Sequence, residues 1–283
     1  MNDAPTRKVD WIVTDLDGTL VGRDLRIVGP NLAALRRFAD AGGDVVVATG
    51  RGEESARPYY ERLGLRNPAI LYNGARVVDL SSGAVLYRRC LSAAVWANLV
   101  MLFEELPAGV WPVAFSGGRA HVRSETAALR AYAHRDGIGL HRVGSWAELP
   151  FDEVVKTMLI CERPGLVDDA AALLREVASG PDGAPAGPGA GATLVRSEST
   201  YLEVLPAGAT KGAALRELAA ARGVPLHRVA AIGDNPNDLD MIETAGLGAA
   251  VGDGDPAVRA AADIVVADCA DGAVADLVDR VMP

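Results

Sequence analysis

Two distant stretches of the chain share one pattern: a short apolar run that stops at a carboxylate and leads into an amphipathic helical segment. Residues 9–14 run into Asp15-Leu16-Asp17-Gly18-Thr19, and residues 228–232 run into Gly233-Asp234-Asn235-Pro236-Asn237-Asp238. A third run, residues 44–48, stops at Thr49-Gly50-Arg51, and strand candidates at 69–72, 247–251 and 264–266 continue the series. Short apolar runs rich in Val, Ile and Ala read as strands buried on both faces. Strands of that kind, each followed by a helix, bury their apolar surface in a parallel sheet with right-handed crossovers. The open crevice of such a sheet lies at the C-terminal ends of the strands, where all three polar clusters fall.

The rhythm changes after Asn73-Gly74. Residues 76–80 and 84–89 read as a hairpin around Ser81-Ser82-Gly83; helices at 93–106, from 125 and at 166–177 follow, with strands near 110–115, 119–123 and 156–161. Residues 179–192 are almost wholly Gly, Pro and Ala, a composition that reads as a flexible loop. Alternation of strand and helix resumes near residue 209 with a helix at 211–222. The expected class is α/β, a doubly wound (Rossmann-like) parallel sheet core with an inserted α+β cap domain. The segments expected are 1–83 for the first part of the core, 84–195 for the insertion and 196–283 for the second part.

Composition removes several classes of function. With 28 Lys+Arg against 37 Asp+Glu, the net charge is −9, the opposite of the basic footprint of a nucleic-acid binder or of a protein docking on an anionic membrane. No run approaches the roughly 18 apolar residues of a membrane span. The first apolar run is too short for the core of a secretory leader. Cys90, Cys161 and Cys269 have no C-x-x-C spacing, which fits reduced thiols and a cytoplasmic location.

The polar clusters supply a chemistry. Asp15 and Asp17 at a strand tip can share a hard cation and face one substrate, although an Asp-Gly turn alone would read the same way. Asp234, Asn237 and Asp238 form a second acidic tip, with Pro236 suited to open a helix; a plain helix cap is the alternative. Two acidic tips at one edge of a parallel sheet make a divalent metal site. The Thr49 hydroxyl and backbone N–H can hold phosphate oxygens, and Lys211 can offset their charge. Taken singly, Thr49 also reads as a helix cap and Lys211 as a solvated helix residue.

The set resembles the haloacid dehalogenase-like hydrolases, and among them the Cof-type phosphatases with a large C2-type cap. The stretches that carry the resemblance are WIVTDLDGTL (11–20), VVVATGR (45–51), YNGA (72–75), YLEVLPAGATKG (201–212) and AIGDNPNDLDMIETAG (231–246). The resemblance implies that Asp15 is the nucleophile and forms an aspartyl-phosphate, with Asp17 as acid and base. It implies Mg2+ held by the Asp15 carboxylate, the Asp17 carbonyl and Asp234, with Asp238 in support. Thr49, Gly50, Lys211 and Asn237 would bind the transferring phosphoryl group. The implied partner is a small phosphorylated substrate, a sugar phosphate being favoured; a phosphomutase and a non-catalytic ligand sensor are the alternatives. One departure is Asp253 in VGDGDP, where the group has Asn.

Other polar features carry less. His121, His134, His141 and His227 lack metal-ligand spacing, and Trp96, Trp111 and Trp146 read as core. The glycines at 246, 248 and 252 do not form a dinucleotide loop. Arg119, His121 and Arg123 alternate on one strand, whose face could meet a phosphate or sugar but reads first as a solvated face.

Overall fold

A computed structural model describes residues 8–178 and 191–282. These divide into two compact units. One holds the described residues through Arg51, then Ala56–Tyr87 and the chain from Thr210; the other holds Gly52–Ser55 and Arg88–Ala209.

The first unit is built on strands β1 (Trp11–Thr14) and β2 (Asp44–Val47), with helix α1 (Gly29–Asp40) between them. Helix α2 (Glu53–Leu63) and strands β3 (Ala69–Leu71), β4 (Arg76–Val78) and β5 (Val85–Arg88) follow. All four residues of β1 are buried, as a four-residue apolar run inside a covered sheet requires. Pro30 lies in the first turn of α1, where its missing N–H leaves no bond unmade, and Ala34, Leu35 and Phe38 point into the core.

The second unit contains α3 (Ala93–Glu105), β6 (Val110–Ser116), β7 (Arg119–Val122), α4 (Ala127–Asp136) and β8 (Leu140–Arg142). It continues with β9 (Val154–Cys161), α5 (Gly165–Ala178), β10 (Ala192–Glu198) and β11 (Tyr201–Pro206). The chain then returns to the first unit with α6 (Lys211–Arg222), β12 (Val229–Gly233), α7 (Leu239–Thr244), β13 (Leu247–Ala250), α8 (Pro256–Ala261), β14 (Ile264–Val265) and α9 (Ala273–Val281).

The core sheet is parallel throughout, in the order β14-β13-β12-β1-β2. The chain moves from β1 to β2 on one side and from β12 to β13 and β14 on the other, so β1 lies at the reversal of strand order. Ligands of open α/β sheets bind at that reversal. Two apolar layers flank the sheet, one gathering Ile12, Leu35, Phe38 and Leu277, the other Trp11, Val13, Leu215 and Met241.

Strand β3 differs from the reading above. Its main pairing is antiparallel with β4, in a separate three-stranded sheet of order β3-β4-β5, and a single bridge between Ala48 and Ile70 joins it to the parallel run. Residues 76–80 and 84–89 therefore extend a β3-β4 pair.

The inserted unit is a six-stranded sheet of order β10-β11-β9-β6-β7-β8, antiparallel except for β7 with β8. Trp96, Phe103 and Trp146 fill its apolar core in edge-to-face contact, which accounts for two of the three tryptophans noted from sequence. Trp111 instead donates its Nε1–H to Glu162 at 3.0 Å. Strand β11 pairs with β9 in this sheet, so the stretch up to Ala209 belongs to the insertion rather than to the returning core, which was set to begin at residue 196. The loop expected over 179–192 lies, through residue 190, outside the described residues. No described helix is long and apolar enough to cross a membrane, and among the described residues no disulfide joins Cys90, Cys161 and Cys269.

Candidate active site

Strand pairing brings the two acidic tips together. Strand β1 lies beside β12 with Thr14 opposite Ile232, and the Asp15 N–H continues the ladder to the Ile232 carbonyl at 3.0 Å. Asp15 and Asp234 thus leave neighbouring strands at the same edge. Gly18, at φ +86°, allows the two tips to touch: a Cβ there would fall 2.4 Å from Asp234 Oδ2. Thr19 Oγ1 donates to Asp234 Oδ1 at 2.8 Å and holds the carboxylate from the β1 side.

Lys211 joins the cluster from the first turn of α6. Its Nζ donates to Asp15 Oδ1 and to Asp238 Oδ1, both at 2.6 Å. The ammonium is wholly buried, as is Asp238, and Asp15 is 5% exposed. Thr210 caps this helix by accepting the Ala213 N–H at 3.2 Å, and the Asp240 carboxylate accepts the Gly212 N–H at 3.1 Å. Asp238 sits in the short helical turn Pro236–Asp238 that precedes α7, and its Oδ2 accepts the N–H groups of Asp234 and Asn235, each at 3.1 Å.

One lysine does not balance the three carboxylates. Burial first, and then the Asp238, Asp234 and Asp17 charges, push the Asp15 carboxyl well above the usual carboxylate range, although Lys211 opposes them. Burial pushes Asp234 up to about 6, the Thr19 hydrogen bond working against it. Lys211 stays charged: burial disfavours the ammonium, but Asp15 and Asp238 outweigh burial and raise its pKa. Among the described residues, one carboxylate oxygen from each of Asp15, Asp234 and Asp238 lies within 4.8 Å of the others. A set of hard oxygen donors with excess negative charge suits Mg2+ or another hard divalent cation, in contrast to the sulfur and imidazole donors of zinc sites.

Asp17 is oriented differently. Its carboxylate lies outside that cluster and is gripped by Arg51, whose Nε and Nη2 donate to the two oxygens at 2.7 Å each. The Arg51 guanidinium also lies over the Tyr59 ring, 5.1 Å from its centroid. Arg51 was part of the Thr-Gly-Arg motif but had no assigned task; the signal missed was a bidentate donor at a strand tip facing an acidic one.

Thr49 is buried after β2, with its hydroxyl accepting the Arg51 N–H at 3.1 Å. Its own N–H, expected to be offered to a phosphate, donates to the Ile70 carbonyl at 2.9 Å and continues the strand pairing. The hydroxyl is therefore the group Thr49 can offer. Asn237 is exposed, and its Nδ2 donates to Asn73 Oδ1 at 2.9 Å.

Comparison with known proteins agrees with this geometry. The family model for haloacid dehalogenase-like hydrolases matches residues 12–278. This chain belongs to the haloacid dehalogenase-like hydrolases. The hydrolase is 26% identical over 275 residues to the pyridoxal phosphate phosphatase YbhA of Escherichia coli, covering 94% of this chain and 96% of the relative. It is 30% identical over 246 residues to the HMP-PP phosphatase of Yersinia pestis, covering 87% of this chain and 84% of the relative. A haloacid dehalogenase-like hydrolase from Bacteroides thetaiotaomicron shares its fold, with a TM-score of 0.83, 24% identity and coverage of 96% and 99%. Both curated relatives carry the name of a phosphatase, and the matching family is one of hydrolytic enzymes.

The remaining polar features make contacts of their own. His121 and His141 face each other on β7 and β8 with ring centroids 5.8 Å apart, but they form no three-ligand cluster among the described residues. Arg123 pairs with Glu104 at 3.0 Å, and Arg119 is exposed. Asp253 uses its Oδ1 to accept the Cys269 N–H at 2.9 Å, while the next loop residues tie back to Asp234 through the Asp255 N–H and the Asp234 carbonyl at 2.8 Å. An Asn at 253 has the same acceptor oxygen, so the departure leaves this bond available.

Proposed function

We propose that this hydrolase cleaves a small phosphomonoester in a magnesium-dependent reaction through an aspartyl-phosphate on Asp15. The observation that carries the reading is the convergence of Asp15, Asp238 and Lys211, all buried, with the half-buried Asp234 at the reversal of strand order. Mg2+ would be held by Asp15, Asp234 and the Asp17 backbone carbonyl, with Asp238 in support. Bound there, it offsets the negative charge of the carboxylates and of the phosphoryl oxygens.

The chain's own groups divide the work. Lys211 holds Asp15 Oδ1, and Oδ2, which has no hydrogen-bond partner among the described residues, is the oxygen left to attack. Oδ2 bonds to phosphorus as the bond from phosphorus to the ester oxygen breaks; Asp17, which must leave the Arg51 clamp and take up a proton before this step, gives that proton to the leaving oxygen. Water then attacks the same phosphorus, its proton passes to Asp17, and Asp15 leaves as a carboxylate. The Thr49 hydroxyl, the Gly50 segment, Lys211 and Asn237 bind the phosphoryl oxygens throughout.

A sugar phosphate is the substrate favoured from sequence; the relatives named for pyridoxal phosphate and HMP-PP add those two compounds as a second substrate type. Three scattered cysteines with no disulfide among the described residues fit a reducing, cytoplasmic setting. The test is inorganic phosphate release from a panel of both substrate types, with magnesium and with chelator. Magnesium-dependent release is expected. Inactivity across the panel, or interconversion of isomers without release, would overturn the phosphatase reading.

A further inference from the structure

A strained turn sits against three of the groups assigned to the phosphoryl. After β3 the backbone takes positive φ at three successive residues, Tyr72 (51°), Asn73 (54°) and Gly74 (93°). Such angles are uncommon for a bulky side chain and persist only where the surroundings over-determine them. The Tyr72 N–H donates to the Arg51 carbonyl and the Asn73 N–H to the Thr49 carbonyl, both at 3.0 Å. Gly74 lies against the start of α6, where a Cβ would fall 2.0 Å from the Thr210 carbonyl oxygen and 2.9 Å from the Lys211 nitrogen.

The Asn73 side chain completes the arrangement. It is buried, and its Oδ1 accepts the Asn237 Nδ2–H at 2.9 Å. A Cβ on Gly50 would fall 3.1 Å from Asn73 Oδ1 and 3.2 Å from its Nδ2, so the amide packs directly on that glycine. A side-chain amide nitrogen has two donors. The bond to Asn73 uses one from Asn237 and fixes the amide plane, so the other is held in a set direction. An exposed Asn without that bond would spread over several rotamers.

We propose that Asn73 is a positioning residue, which fixes the Asn237 amide and the Thr49-Gly50 segment as one phosphoryl-binding surface. The proposal rests on the phosphoryl site read above. Its test is a cycle of Asn73→Gly, Asn237→Ala and the double variant; glycine accepts the positive φ without strain. Affinity for inorganic phosphate with magnesium is read by calorimetry, and KM and kcat on the best ester of the panel are read beside it. Each single variant is expected to weaken phosphate binding about tenfold, and the double variant little more than either alone. KM should rise in step, while the urea midpoint of Asn73→Gly stays near that of the unsubstituted protein. Asn73→Ala replaces it in the cycle should the glycine variant unfold. Effects that multiply to about a hundredfold, or normal phosphate affinity in the Asn73 variant, would overturn the proposal. A protein that binds phosphate with this coupling yet hydrolyses no ester would sink the activity and keep the inference. A protein that binds no phosphate would sink both.

Discussion

Replacing Lys211 by Met keeps most of the side-chain volume and removes the cation that two buried carboxylates share. The ammonium is fully buried and 2.6 Å from an oxygen of each partner, so water cannot take its place without opening the site. Removing one partner of a buried ion pair costs about 3–5 kcal/mol, chiefly because the remaining charge is left uncompensated. The cost depends on pH with a definite sign. Asp15 already titrates above its unfolded value, and losing Lys211 removes the main group lowering it. The folded variant therefore binds a proton that the unfolded chain releases, and its stability falls as pH rises above the unfolded carboxylate pKa. The slope approaches about 1.4 kcal/mol per pH unit for one such proton. Urea denaturation of the metal-free protein at pH 5 and pH 7 reads this directly. Lys211→Met should be destabilised at both, more at pH 7, and magnesium should recover part of the loss. Equal stability of the variant and the unsubstituted protein at pH 7 without metal would refute the buried, charged cluster.

Three further outcomes follow from the same contacts. Asp234 titrates at about 6, so about a tenth of it is ionised at pH 5 and about nine-tenths at pH 7; magnesium affinity by calorimetry should rise about tenfold across that interval, and a flat profile would remove Asp234 from the ligand set. Gly74→Ala places a Cβ against the Thr210 backbone at positive φ, and should cost about 2 kcal/mol or more by urea denaturation; a neutral result would mean that the turn is not pressed against α6. In the inserted unit, Lys156 and Glu203 form a buried pair at 3.3 Å, so Lys156→Met should cost about 3–5 kcal/mol, and Lys156→Met with Glu203→Leu should cost less than Lys156→Met alone.

The acidic tips were legible because each follows a short, mostly apolar run, and a carboxylate there marks the edge of a sheet. That they lie on adjacent strands was not legible, since strand order is set by the packing of α6 and α7 on one face and of α1 and α9 on the other. The Asp17 clamp was hidden for a related reason: Arg51 lies 34 residues away, and no local pattern reveals a partner at that separation. The Thr49 N–H was misread because the reading stopped the pairing at the end of β2, whereas one parallel bridge, Ala48 with Ile70, carries it a residue further. In the structure β3 turns back on β4, and its Ile70 carbonyl takes that donor. The second domain boundary slipped because Tyr201–Pro206 was read as a motif rather than a strand, although its alternating Leu202, Val204 and the partly covered Tyr201 suit one. The Asn73 turn was visible only as a matching tetrapeptide; its strain and its contacts with Thr49 and Asn237 exist only in three dimensions.

The central claim is that phosphoryl transfer passes through Asp15. Asp17→Asn leaves that carboxylate intact and removes the group that activates water, so an activated ester such as p-nitrophenyl phosphate should load the enzyme faster than it is discharged. After acid quench and proteolysis, mass spectrometry should find one phosphoryl group on the peptide that contains Asp15, and none when Asp15→Asn is added. Phosphate release by the unsubstituted enzyme with no phosphorylated peptide in Asp17→Asn, or with the label on a peptide lacking Asp15, would contradict the account.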